Sequence, residues 1–127
     1  MSAAHAAPAA KSAERRGDLP FSATPYASFN EPWTMSFLPD GSALISEKGG
    51  TLKRFDPASG RTGTVSGVPA VAYGGQCGFG DVLPHPRFAQ NGWVYLSYAE
   101  AGSSDTRGGA VARAKLTWTA MAARCRS

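Results

Sequence analysis

Charge is scarce in this chain: only 17% of its 127 residues are Asp, Glu, Lys or Arg. Long apolar runs are missing as well, so no segment reaches the roughly 20 residues that a membrane-spanning helix needs. Cysteine is limited to Cys77 and Cys125. Two are too few for a disulfide framework, and neither has the C-x-x-C neighbour of a metal site. Two free thiols are the simpler expectation, with a single bridge as the alternative. No D-x-D-x-D-G calcium loop is found. Walker-type and dinucleotide fingerprints are also missing, because the glycines open no helix.

The formal charge of +4 raises the question of nucleic acid. A nucleic-acid footprint should cluster on one element. Here the excess sits largely in the tails: net +1 over residues 1–19, net +2 from Arg124 and Arg126, and net +1 over everything between. Nucleic-acid binding is disfavoured. The opening stretch Met1–Ala10 lacks the leading positive charge and apolar core of a signal peptide. It reads as part of a disordered leader over residues 1–20, or as what remains downstream of a signal whose true start was missed, with His5 a solvated tail residue.

What is plentiful is glycine (15) and proline (9), alongside 43% apolar residues. That mixture suits short strands and tight turns around one small core. Phe21–Tyr26 is an expected edge strand, where Pro25 would be tolerated. Trp33–Leu38 follows, closed by Pro39-Asp40-Gly41, in which proline presets φ and glycine accepts the positive value. Ala43–Ser46, Thr51–Phe55 and Arg61–Val65 come next, separated by Lys48-Gly49-Gly50 and Asp56-Pro57-Ala58-Ser59-Gly60. Four short antiparallel strands in about 35 residues are what one propeller blade requires. The pattern restarts with Phe79–Leu83, Trp93–Tyr98 and Gly109–Thr117. The predicted fold is all-β: about two blades, residues 21–117, of a β-propeller. Residues 118–127 are expected to form an irregular tail, with a short Ala-rich helix start as the alternative.

The densest loop is Tyr73-Gly74-Gly75-Gln76-Cys77-Gly78-Phe79-Gly80-Asp81-Val82, followed by Leu83-Pro84-His85-Pro86-Arg87-Phe88. Glycines let backbone approach a ligand closely, and the Gln76 amide offers two donors and an acceptor that suit sugar hydroxyls. The bland alternative is a glycine-rich turn with a surface glutamine. Asp81 could orient a site residue, or cap the loop through backbone N–H groups, the reading favoured here. His85, between two prolines and with no nucleophile or carboxylate at recognisable spacing, reads as a turn residue. Trp33, Trp93 and Tyr95 read as core, and Glu47-Lys48 as the charged tip of a solvated hairpin.

Together, the glycine loop and the run Pro32-Trp33-Thr34-Met35-Ser36-Phe37-Leu38-Pro39-Asp40-Gly41 resemble the soluble aldose sugar dehydrogenases, the glucose/sorbosone dehydrogenase family. Glu47-Lys48-Gly49-Gly50 and His85-Pro86-Arg87-Phe88 match two further turns of that family. The resemblance covers roughly Phe29 to Leu116. It implies the amino-terminal portion of a six-bladed propeller, pyrroloquinoline quinone (PQQ) and calcium as cofactors, an aldose substrate, an external electron acceptor and a periplasmic or secreted location. The implied reaction oxidises the aldose C1 hydroxyl to the lactone, with hydride passing to the quinone. Gln76 matches the family glutamine that hydrogen-bonds the sugar near its reacting carbon, with Gly75, Gly78 and Asp81 as the supporting loop. The sequence departs from the family motif at Cys77 and Gly80. The family's catalytic histidine and its cofactor ligands fall, by motif, beyond the last strand here, so the loss of pattern after Thr117 reads as a truncation, by frameshift or early stop. A chain with one substrate contact is expected to be inactive alone. A non-catalytic propeller module that binds carbohydrate or protein is the alternative function.

Overall fold

The structure is a computed structural model that describes residues 19–118 and 123–126. The leader reading for residues 1–18, His5 included, and the helix start at residues 120–122 lie outside that range. Among the described residues eight strands form: β1 (Pro32–Phe37), β2 (Ala43–Glu47), β3 (Thr51–Asp56), β4 (Arg61–Ser66), β5 (Phe79–Pro84), β6 (Trp93–Ala101), β7 (Arg107–Trp118) and β8 (Ala123–Arg126). Each of β1 to β4 pairs antiparallel with its neighbour, as do β5 to β6, β6 to β7 and β7 to β8. These are two four-stranded blades of a propeller. A short parallel bridge, Val65 to Ala123 and Ser66 to Arg124, joins the outer strands β4 and β8.

The blades face one another across one apolar layer. From the first blade come Leu38, Leu44, Leu52 and Val65; from the second come Phe79, Val82, Val94, Leu96, Ala114 and Leu116. β2 is buried along its whole length because it is covered on both faces. Its outer face, Ala43 and Ile45, packs with Phe55 and Phe29. The innermost strands β1 and β5 lie side by side without a ladder, and hydroxyls bridge them instead. Ser36 Oγ donates to the Val82 carbonyl at 2.6 Å, and Ser46 Oγ donates to the Gly80 carbonyl at 2.7 Å. Thr34 Oγ1 sits 3.1 Å from Ser46 Oγ, so these hydroxyls form one chain between blades. Buried hydroxyls need such partners, and the propeller interface supplies them from main-chain carbonyls.

Several expectations change. Phe21–Tyr26 forms no strand; the segment runs as irregular chain, and the rings of Tyr26 and Phe29 meet Phe55 edge-on at 6.5 and 6.1 Å. The ring contacts leave Phe21 63% and Tyr26 71% exposed, so the segment lies on the surface of blade one. The end of the chain is not wholly irregular. Ala123–Arg126 is a strand whose small alternate residues Ala123 and Cys125 point into the core while Arg124 and Arg126 stay exposed. A four-residue helix, α1 (Phe88–Asn91), stands between β5 and β6, stopped by Gly92 at φ 66°. Trp33 is not core: it is 61% exposed, and with Met35 and Phe37 it makes an open apolar row on β1. Both cysteines are free. Burial pushes the Cys125 thiol up to about 11, which leaves it inert at neutral pH. Among the described residues, no helix is long and apolar enough to cross a membrane.

Candidate functional site

The loop between the blades begins with a tight turn. Gly74 N–H donates to the Cys77 carbonyl at 3.0 Å, and Cys77 N–H returns the bond to the Gly74 carbonyl at 2.9 Å. Gly75 and Gln76 are the two residues at the tip. Gly75 sits at φ 56°, and Gln76 is not among the residues at positive φ. That combination is the type II′ turn, which asks for glycine at its first central position and accepts an ordinary residue at the second. The sequence order Gly75-Gln76 therefore puts the amide side chain at an exposed tip.

Behind the tip the chain passes very close to its neighbours. A Cβ on Gly78 would lie 2.5 Å from the Lys48 carbonyl oxygen and 2.6 Å from Lys48 Cγ. Phe79 N–H donates to that same carbonyl at 2.9 Å, and Ala99 N–H donates to the Gly78 carbonyl at 2.9 Å. The loop is thus sewn to the β2–β3 turn on one side and to β6 on the other. Gly80 answers the family departure in local terms: a Cβ there would meet Ser97 Oγ at 2.6 Å. That hydroxyl is itself engaged, accepting Asp81 N–H at 2.8 Å.

A cleft of about 440 Å³ opens beside the turn, with Gln76, Cys77, Gly80, Ser97, Tyr98 and Arg107 along its walls. This size is within the range of small-ligand sites. The Arg107 guanidinium lies flat against the turn, its Nη2 3.1 Å from where a Gly74 Cβ would stand. The walls therefore offer amide, hydroxyl and guanidinium donors over a glycine floor, which is chemistry for neutral hydroxyls or a single anion.

The expected site residues separate into two groups. Gln76, Gly75 and Gly78 form one unit at the cleft mouth. Asp81 is exposed on β5 just behind it, and among the described residues its carboxylate accepts no backbone bond from the loop. Ser97 does the tethering that was expected of Asp81. His85 stands just past the far end of β5, roughly 20 Å along the strand from Phe79 at about 3.3 Å per residue. Its Nδ1 accepts the Arg87 N–H at 2.9 Å and lies 2.9 Å from the Asn91 amide nitrogen, so it shapes the corner before α1. The Glu47-Lys48 tip is not simply solvated. Glu47 is buried and accepts the Asn30 N–H at 2.8 Å, while Lys48 Nζ donates to the Gly75 carbonyl at 2.7 Å. Arg107, Lys48 and Ser97 are the residues that sequence reading missed. Nothing near them in the chain marks them, because each acts on a loop that is distant in sequence.

Among the described residues no three His, Cys, Asp or Glu side chains gather to hold a metal ion. Among the described residues, Arg107 is the one cationic side chain lining the cleft, against the three carboxylates of the quinone that the resemblance implies. The donor set fits a sugar contact and does not fit the whole cofactor.

Comparison with known proteins places this geometry. A family model described as Glucose / Sorbosone dehydrogenase matches residues 29–125. The aldose sugar dehydrogenase YliI of Escherichia coli K12 is 39% identical over 89 residues, covering 69% of this chain and 24% of that protein. The crystal structure of the soluble aldose sugar dehydrogenase from E. coli, in the apo form, superposes with a TM-score of 0.68 at 36% identity, over 76% of this chain and 29% of that one. The PQQ-bound aldose sugar dehydrogenase of Streptomyces coelicolor gives 0.63 at 26% identity, over 71% and 26%. The chain spans about a quarter of the length of these relatives. Two blades, the interblade glycine loop and these matches carry one conclusion: the chain belongs to the glucose/sorbosone dehydrogenase family, and its fold is part of that family's six-bladed β-propeller.

Proposed function

We propose that this chain is the sugar-contacting amino-terminal part of a PQQ-dependent aldose dehydrogenase, with Gln76 hydrogen-bonding the sugar. The observation that carries the reading is the type II′ turn that presents Gln76 at the mouth of a donor-lined cleft. An amide can donate to one hydroxyl and accept from the next, which matches the vicinal hydroxyls of an aldose. The reaction carried over from the family is oxidation of the aldose C1 hydroxyl to the lactone. The quinone supplies the hydride acceptor when bound, and an external acceptor then takes its electrons. Gln76 orients the sugar in this scheme; it removes no proton, since a neutral amide is no base at any ordinary pH.

Gly75 and Gly78 serve as the turn and the close-packed base of the loop, and Asp81 as its exposed flank. We assign calcium to no residue of this chain, in keeping with its donor set. The same shortage of donors leads us to expect no sugar oxidation from the 127-residue chain, even with quinone, calcium and a dye acceptor added. Turnover above the protein-free blank would overturn that part of the reading. The family location outside the cytoplasm belongs to the same proposal.

Glucose binding tests the contact itself. Gln76→Ala should weaken the affinity of the chain for D-glucose about tenfold, the usual cost of removing a hydrogen-bonding partner from a bound ligand. Calorimetric titration of the two proteins measures it. Equal affinities would remove Gln76 from the site.

A further inference from the structure

A turn with two residues at its tip has one weak point. Its base is fixed by the reciprocal Gly74–Cys77 bonds, but the peptide between the two tip residues can flip, converting type II′ to type I′. In this loop that peptide joins Gly75 to Gln76, so its orientation sets where the Gly75 carbonyl and the Gln76 N–H point and whether Gln76 sits at negative or positive φ. The Gly75 carbonyl is the handle on it.

We propose that Lys48 is a positioning residue for sugar binding: it fixes the Gly75–Gln76 tip of the turn, and so the stretch of backbone from which Gln76 reaches the cleft. The proposal rests on the reading of Gln76 as the sugar contact. Lys48 Nζ donates to the Gly75 carbonyl at 2.7 Å, across 27 residues of sequence. The Lys48 main chain is anchored on both sides, since its N–H donates to the Glu31 carbonyl and its carbonyl accepts Phe79 N–H, each at 2.9 Å. Its side-chain stem passes directly over Gly78, where a Cβ would block it. Nζ also lies 5.7 Å from the centre of the Tyr73 ring, and the Tyr73 hydroxyl donates to Glu31 Oε2 at 2.7 Å. Glu31, Tyr73 and Lys48 thus brace the turn from outside the cleft. The flipped peptide would lose this bond and would also push Gln76 to positive φ, which a side-chain-bearing residue adopts at a cost. Lysine and turn residue type act in the same direction.

The test uses the full 127-residue chain, D-glucose as the probe and ¹⁵N relaxation of the Gln76 backbone amide. Lys48→Met keeps the stem and removes the donor. It should raise the glucose dissociation constant about three- to tenfold, the range for loss of one ordinary hydrogen bond, and it should broaden or mobilise the Gln76 amide. Lys48→Arg, which keeps a donor, should restore both. A purely structural role would lower the melting temperature of Met and Arg variants without this split. Wild-type glucose affinity together with unchanged Gln76 relaxation in Lys48→Met overturns the proposal. Should Lys48→Met fail to fold, Lys48→Gln carries the same measurements. If Gln76→Ala binds glucose like wild type, the sugar reading falls and the positioning proposal falls with it. A rigid, unflipped Gln76 in Lys48→Met would then also reject Lys48 as the brace of the turn.

Discussion

Phe79→Ala should bring the chain close to unfolding at physiological temperature. Phe79 is 1% exposed and is the largest fully buried side chain, at the point where the site loop enters β5. It packs in the layer shared by both blades, so its loss opens a cavity that neither sheet can close alone. Truncating a buried phenylalanine costs about 3–5 kcal/mol. A domain of this size holds only about 5–15 kcal/mol in total, and the open apolar row of Trp33, Met35 and Phe37 argues for the lower part of that range. The melting temperature should fall by roughly 10–20 °C, read by circular dichroism. Leu83→Ala is the control on the same strand: Leu83 is 60% exposed, and its loss should stay within about 0.5 kcal/mol. Similar effects for the two would mean that β5 does not turn Phe79 inward.

Gly78→Val should abolish glucose binding while leaving most of the fold in place. The new side chain would begin 2.5 Å from the Lys48 carbonyl. That oxygen cannot simply retreat, because it accepts the Phe79 N–H, and Gly78 is itself tied to Ala99. Overpacking of this kind costs about 1–3 kcal/mol, and the loop must lift away to relieve it. Lifting moves Gln76, so glucose affinity should drop more than about tenfold, as expected when a positioned contact is lost outright. Gly75→Ala makes the useful contrast. Nothing lies within 4 Å of a Cβ there, and only the positive φ penalises it, by about 1 kcal/mol. Thermal melts paired with calorimetric titration separate the two variants. Retained affinity in Gly78→Val would show that the loop is not seated on Lys48.

The strands of both blades were legible because proline, glycine and aspartate punctuate them, and seven of the eight appear within a few residues of their expected bounds. The misreadings share a cause. Phe21–Tyr26 has strand composition, but the segment stays exposed and irregular, with Tyr26 and Phe29 turned edge-on to the ring of Phe55. β8 is only four residues long, so the alternation in Ala123-Arg124-Cys125-Arg126 gave too short a signal beside an Ala-rich stretch. Helix α1 is a single turn and has no period to detect. A glycine-rich turn around Gln76 was legible because the turn is local, closed between Gly74 and Cys77, whereas the sugar role of Gln76 came from the family resemblance. Lys48, Ser97 and Arg107 were not legible, since each reaches the loop from another element. Glu47-Lys48 looked like a solvated hairpin tip for the same reason. Its burial comes from Asn30 and from the loop that starts near Tyr73, neither of which lies close to it in the chain.

The central claim is that the cleft beside Gln76 receives the sugar. The most direct measurement is a two-dimensional ¹H–¹⁵N titration of the labelled 127-residue chain with D-glucose. The account predicts saturable shifts confined to the Gln76 side-chain amide and to backbone amides lining the cleft, such as Cys77, Ala99 and Gly108, with His85 and its corner unmoved. Saturable shifts that map instead to the His85 corner, or to the face carrying Trp33 and Met35, would contradict it, as would a spectrum that glucose does not change.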